Sequence, residues 1–159
     1  MYAMKSGTRP SWNTYFMRLA DVVATRSNCI RRSVGSVLVQ DRRIIATGYN
    51  GTPHGITNCD EGGCVRCNER HLGRIKKGER EEECICIHAE QNAVIQAALH
   101  GLSTKSAVLY TTASPCPQCA KILINAGISR VYYRHDPHFV GGLTLFKQAG
   151  INTTKISAQ

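Results

Sequence analysis

A chain of 159 residues, 42% of them apolar and 19% charged, is long enough to bury one hydrophobic core and reads most simply as one domain. It contains no apolar run of membrane-spanning length, and its opening, MYAMKSGTRPSW, lacks the apolar centre of a secretory signal. That disfavours a membrane protein and a secreted disulfide scaffold, so the expected address is the cytoplasm, where clustered cysteines point to metal or catalysis. The net charge of +9 invites a nucleic-acid partner, but it counts all eight cysteines as neutral. A four-thiolate zinc site carries about −2 and a two-thiolate, one-histidine site is about neutral. The charge is thus a discounted argument for nucleic acid; no membrane partner is expected, and no nucleic acid once the motifs below are weighed.

In chain order, Ser11 can cap a helix whose apolar positions, Trp12, Tyr15, Phe16, Leu19, Val22 and Val23, follow helical spacing. Two apolar runs, VGSVLV (34–39) and RIIATG (43–48), split by a polar turn at Gln40 to Arg42, predict a hairpin. Residues 50–83 have little periodicity and many Gly, Asn and charged residues; a loop of that length is usually functional or held by something. Much of the basic excess falls there (Arg66, Arg70, Arg74, Lys76, Lys77 and Arg80), as a solvated loop or as a phosphate-facing patch. AEQNAVIQAAL then predicts a helix ended by Gly101, followed by the strand AVLYTT (107–112). SPCPQCAKILINAG predicts a helix with Pro117 near its start and Gly127 just past its end. RVYY (130–133) reads as a strand, LTLFKQAG (143–150) as a shorter helix, and INTTKI (151–156) as a last strand. Strand–helix–strand–helix–strand implies parallel neighbours joined by right-handed crossovers, with helices covering a mixed sheet. No internal repeat and no second domain is visible.

The chemistry lies in two fragments, H-A-E at 88–90 and P-C-P-Q-C at 115–119, both where a loop or strand passes into a helix. A helix N-terminus offers positive partial charge and unpaired N–H groups, which lower a cysteine's pKa and favour thiolate. Cys116 and Cys119, three apart, can turn both sulfurs toward one ion. With His88 they supply three ligands and leave a tetrahedral position for water, the mark of catalytic rather than structural zinc. Glu90 does not share a helical face with His88. It reads instead as the carboxylate beside that water, able to take its proton and deliver it to a substrate nitrogen. H-x-E says little alone, and C-x-x-C only a little more. Joined, H-x-E followed by P-C-x-x-C is the signature of zinc nucleobase deaminases; the bland competitor is a structural zinc site with an incidental glutamate.

Over most of its length the chain resembles the deoxycytidylate (dCMP) deaminases, in RPSWNTYFM, RSNC, VGSVLV, ATGYNGTP, TNC, IHAEQNA, LYTTASPCPQCAK and INAGISRVYY. The cysteine-rich GGCVRC…CICIHAE is similar to fungal members. The resemblance implies the three-layer α/β/α cytidine-deaminase fold, with a mixed sheet of about five strands. It implies one deaminase domain over 1–159 with a cysteine-rich zinc-binding insertion at about 50–86, assembled as a homo-oligomer, a hexamer favoured. The implied reaction is hydrolysis of dCMP to dUMP with loss of ammonia, feeding dTTP synthesis, with dCTP as activator and dTTP as inhibitor. His88, Cys116 and Cys119 are implied to hold the catalytic zinc. Glu90 is implied to protonate the ring N3 as hydroxide attacks C4, then to pass a proton to the departing amine.

Substrate residues are less determined. Similar deaminases place the asparagine corresponding to Asn50, in GYNG, at the ligand, while a turn role in Asn-Gly accounts for it equally well. Ser114 can offer its backbone carbonyl to the leaving amine. Arg31 and Arg32 are candidates for the phosphate, or a solvated basic pair. Asn50 and Gly51 are also candidates for a regulatory nucleotide site.

Cys29, Cys59, Cys64, Cys67, Cys84 and Cys86 remain. Cys29 alone could be core filler, since free cysteine is often buried; six cysteines, four of them in C-x-x-C and C-x-C, suggest at least one structural zinc holding the insertion. The resemblance points to Cys29, Cys59 and Cys86, leaves the fourth ligand open among Cys64, Cys67, Cys84 and His71, and leaves two structural sites open as well. If CICIHAE is extended, Cys84, Cys86 and His88 alternate onto one face, and one short strand serves both metal groups. Two rivals keep the same motifs: a polynucleotide deaminase acting on tRNA adenosine or single-stranded DNA, and a non-enzymatic zinc module.

Overall fold

Ser11 caps α1 (Trp12–Ala24) by accepting a hydrogen bond from the Thr14 backbone N–H at 3.2 Å. The computed structural model describes residues 9–136 and 141–157; residues 1–8, which open the stretch read above for a secretory signal, lie outside them. Phe16, Met17, Ala20 and Ala24 form the buried face of α1. The apolar stripe in the sequence is wider than that face, because Trp12, Tyr15 and Val22 are exposed. Trp12 nevertheless stacks on Phe16 at 5.6 Å and lies beneath the Arg42 guanidinium at 5.3 Å, a cation–π contact. Removing the cap with Ser11→Ala is expected to lower unfolding free energy by about 1 kcal/mol in urea titration.

The hairpin is β1 (Gly35–Gln40) and β2 (Arg43–Tyr49), joined through Asp41 and Arg42 at φ +49° and +60°. Left-handed angles at both central residues give the two-residue turn whose twist matches its strands. The segment from 50 to 88 is less featureless than its composition suggests. It contains α2 (Val65–His71) and single 3₁₀ turns at Cys59–Glu61 and Glu81–Glu83. The remaining elements follow the predicted order: α3 (Ala89–Leu99), β3 (Val108–Ala113), α4 (Pro117–Asn125), β4 (Arg130–His135), α5 (Gly141–Gln148) and β5 (Asn152–Lys155).

The sheet order is β2-β1-β3-β4-β5, with β1 antiparallel to β2 and β3, and β3, β4 and β5 mutually parallel. This is the expected mixed five-stranded sheet in an α/β/α sandwich. Alternation along each strand divides the core. Val37, Val39, Tyr110 and Tyr132 pack on Phe16, Met17 and Ala20 of α1. Leu38, Leu109 and Val131 face Ala93 and Ala97 of α3, Leu123 of α4 and Phe146 of α5.

Two glycines set how closely helices approach the sheet. A Cβ on Gly35 would collide with the backbone of Ala20 and Ala24, and one on Gly48 with Ala89 O and Ala93 N. The second contact seats the first turn of α3 directly against β2.

Candidate active site

The N-termini of α3 and α4 meet beyond the carboxyl end of β3. His88 is the N-cap residue of α3, and its backbone N–H donates to Gln91 Oε1 at 2.9 Å. Cys116 is the N-cap residue of α4, where Pro117 takes the first helical position and the Cys119 N–H donates to Cys116 Sγ at 3.5 Å. His88 Nδ1 lies 3.3 Å from Cys119 Sγ and 3.5 Å from Cys116 Sγ. A tetrahedral zinc with bonds of about 2.3 Å to sulfur and 2.0–2.1 Å to nitrogen needs an N···S edge of roughly 3.6 Å. The donor set therefore fits that ion in both chemistry and spacing.

The electrostatics suit a cation too. Cys116 is drawn down to about 3, first by its hydrogen bond with Cys119 and then by His88. Cys119 is pushed up, first as the partner that keeps its proton in that bond and then by burial. His88 is raised, chiefly by its bond to Cys116. Two helix N-termini aimed at one point reinforce the preference for thiolate.

Glu90 stands beside this trio, not within it. It is 4% exposed, with Oε2 3.6 Å from Cys119 Sγ and Oε1 3.4 Å from the Thr111 hydroxyl. Burial pushes its carboxyl above the ordinary carboxylate range, although its own backbone N–H and His88 pull the other way. Thr111 Oγ1 also lies 2.9 Å from Ser36 Oγ, so two adjacent strands fix the hydroxyl that meets Glu90. His88 is exposed and Cys116 half-buried, while Glu90, Thr111 and Cys119 close the floor. The cleft is open on the histidine side.

Thr111 was legible only as a strand residue. Its signal is parity: it shares a face with Leu109, and a polar side chain at such an inward position needs a partner. Gly142 carries no local signal at all. A Cβ there would collide with Pro115 O, so the start of α5 closes tightly over the Pro115–Cys116 turn.

The other candidates divide. Asn50 is 7% exposed; its Oδ1 accepts from the Val34 N–H at 2.8 Å and the Ser27 hydroxyl at 2.7 Å, and its Nδ2 donates to Arg32 O at 2.7 Å. One amide proton is left over from those bonds. Gly51 and Ile87 exchange backbone hydrogen bonds, N to O at 3.2 Å and 2.8 Å, and a Gly51 side chain would strike Asn28. The Ser114 hydroxyl is buried without a hydrogen-bond partner among the described residues, one step before the Pro115–Cys116 turn. Arg31 and Arg32 are exposed.

All six remaining cysteines gather in a second place. Two mutually close groups of four occur, Cys29–Cys59–Cys67–Cys86 and Cys64–Cys67–Cys84–Cys86. Cys67 Sγ is 3.7 Å from Cys84 Sγ and 4.0 Å from Cys86 Sγ, and Cys64 Sγ is 3.9 Å from Cys84 Sγ. Tetrahedral zinc–thiolate bonds of about 2.3 Å require sulfur–sulfur edges of roughly 3.8 Å. His71 is exposed at the end of α2 and belongs to neither group. Cys29 and Cys84 are each drawn down to about 5, first by a bond with Cys86. Cys67 is pushed up by burial, and Cys86 by holding its proton toward Cys29 and Cys84.

An open N/S donor set with a buried carboxylate beside it, on a three-layer α/β/α sheet, is the arrangement of metal-assisted hydrolysis. The family model of the cytidine and deoxycytidylate deaminase zinc-binding region matches residues 10–135, and the chain belongs to that family. It is 47% identical over 125 residues to a deoxycytidylate deaminase of Schizosaccharomyces pombe, covering 79% of this chain and 37% of the relative. It is 41% identical over 150 residues to that of Saccharomyces cerevisiae, covering 94% of this chain and 46% of the relative. The chain thus spans less than half the length of these two relatives. A crystal structure of the dCMP deaminase of cyanophage S-TIM5 in complex with dCMP and dUMP superimposes with a TM-score of 0.75 at 32% identity, over 94% of this chain and all of that one. No helix among the described residues is long and apolar enough to cross a membrane.

Proposed function

We propose that this chain hydrolyses dCMP to dUMP and ammonia. The observation that carries the reading is the buried Glu90 carboxylate at the floor of an open cleft, 3.6 Å from Cys119 of the His88–Cys116–Cys119 trio. Similarity to the cyanophage enzyme, which binds dCMP and dUMP, supports the choice of substrate.

His88 Nδ1, Cys116 Sγ and Cys119 Sγ would hold zinc, which when bound supplies a water nucleophilic at neutral pH. Glu90 takes one proton from the attacking water and gives it to N3 of the cytosine as oxygen bonds to C4; it then takes the remaining hydroxyl proton and gives it to the amine, which leaves C4 as ammonia. A carboxyl whose proton affinity is raised by burial matches that task better than a solvated one. Thr111 orients Oε1. Thr111→Val is therefore expected to lower kcat by up to about tenfold, the worth of one hydrogen bond, with KM little changed in steady-state assays.

The finer assignments belong to the same proposal. The chain acts as one deaminase domain, 1–159, whose cysteine-rich insertion at about 50–86 is held by structural zinc. Asn50 offers its spare amide proton to the nucleotide, Ser114 lines the leaving-group side, and Arg31 and Arg32 lie within the phosphate's reach. A cytoplasmic homo-oligomer, a hexamer by preference, activated by dCTP and inhibited by dTTP, completes the reading; Asn50 and Gly51 are the candidates for the regulatory nucleotide in place of a substrate role for Asn50. The test is ammonia release from a panel of cytosine mononucleotides and cytosine- or adenosine-containing oligonucleotides, with and without dCTP. dCMP should be turned over fastest; deamination of oligonucleotides but not of dCMP would reverse the assignment.

A further inference from the structure

We infer that Cys29, Cys59, Cys64, Cys67, Cys84 and Cys86 hold a binuclear zinc cluster in which Cys67 and Cys86 each bridge both ions. Cys29 and Cys59 are terminal on one ion, Cys64 and Cys84 on the other. The inference deepens the structural-zinc part of the proposal above and rests on it.

Six sulfurs exceed what one tetrahedral zinc can take. They do not divide into two separate sites either, because the two close groups of four share the same two residues, Cys67 and Cys86. Two tetrahedra that share an edge need six donors, and six are present. Contacts follow the same partition. Cys67 meets Cys29 and Cys59 on one side and Cys64 and Cys84 on the other. Cys86 meets Cys29 and Cys59 on one side and Cys84 on the other.

Charge favours the pair over a single ion. One zinc on Cys29, Cys59, Cys67 and Cys86 would leave Cys64, wholly buried, facing Cys84 at 3.9 Å with no cation between them. Two zincs and six thiolates sum to about −2, the charge of an ordinary four-thiolate site. Backbone N–H groups of Arg31 and Arg32 bond to Cys29, that of Ile30 to Cys59 and that of Cys86 to Cys84, so three terminal sulfurs are hydrogen-bonded as thiolate ligands require. The ligands come from four separate stretches of chain: the segment after α1, the Cys59 turn, the start of α2 and the approach to His88. An all-thiolate set of this kind selects a soft tetrahedral ion.

The test is metal stoichiometry with zinc X-ray absorption on the full chain purified under reducing conditions. Three zincs per chain are expected, one for the His88 trio and two for the cluster, with a metal–metal distance below about 4 Å, as edge-sharing with zinc–sulfur bonds of about 2.3 Å requires. The double variant Cys64→Ala/Cys84→Ala keeps the other group of four, and should lose one zinc together with the metal–metal signal. Two zincs per chain and no such signal would overturn the bridged pair while leaving a single structural zinc. Only one zinc per chain would overturn both readings. Visible thiolate-to-iron absorption, or no zinc lost from the double variant, would also overturn the cluster.

Discussion

Glu90→Gln is expected to lower kcat for dCMP by about 10²–10⁴-fold while zinc content stays at the wild-type level. Gln matches Glu in shape and can still receive the Thr111 hydroxyl at its amide oxygen, so the cleft keeps its form and loses only the titratable carboxyl. Stability should move in the opposite direction from activity. Burial raises the carboxyl of Glu90 above its ordinary value of 4.5, so the folded chain binds that proton more tightly than the unfolded chain does. Below about pH 4.5 both states are protonated and the carboxyl makes no difference. As pH climbs from there through the raised folded value, charging a buried group withdraws stability from the wild type and none from the Gln variant. At pH 7 the variant should therefore melt no lower than the wild type, and the advantage should vanish in acid. Appreciable turnover by the variant would remove Glu90 from its proposed role.

Gly48→Ala is expected to damage both fold and turnover. The added methyl would collide with Ala89 O and Ala93 N, both backbone atoms that cannot rotate aside. Either β2 or the first turn of α3 must yield, and such overpacking typically costs about 1–3 kcal/mol. Ala89 stands between His88 and Glu90, so the same displacement reaches the proposed metal ligand and the proposed proton carrier together. A misplacement of about 1 Å can lower turnover by around 10²-fold. Urea titration and steady-state kinetics on one preparation would measure both effects, with Thr47→Ala, an exposed neighbour on β2, expected to behave as wild type. Wild-type melting and turnover in Gly48→Ala would show that this contact does not position the site.

Those two residues also mark what sequence can and cannot display. His88, Glu90, Cys116 and Cys119 are conspicuous because rare chemistry occurs at fixed spacing beside helix starts. The hairpin and the alternating strands and helices from 89 onward are conspicuous because their apolar residues keep a period and their ends carry Gly or Pro. Gly48, by contrast, looks like any glycine before a turn. Its importance comes from a helix 41 positions further on, and nothing local encodes that approach. α2 is hidden for a different reason. Its one buried residue is Cys67, which faces other sulfurs, so no aliphatic stripe announces a helix. The partition of the six sulfurs is likewise invisible in one dimension, since each has the same chemistry until folding decides its neighbours. On α1 the reverse occurs: Trp12, Tyr15 and Val22 continue the apolar spacing past the face that is actually covered.

Ile87 has Cys86 on one side and His88 on the other, and its backbone is locked to Gly51 at the end of the hairpin. The sulfur cluster and the His88 cleft are therefore wired in series through one peptide unit, with the Asn50–Gly51 turn soldered to the same junction. Displacing Cys86 is therefore expected to displace His88 as well. Cys86→Ala should accordingly lower turnover while circular dichroism keeps the signature of the sheet and helices.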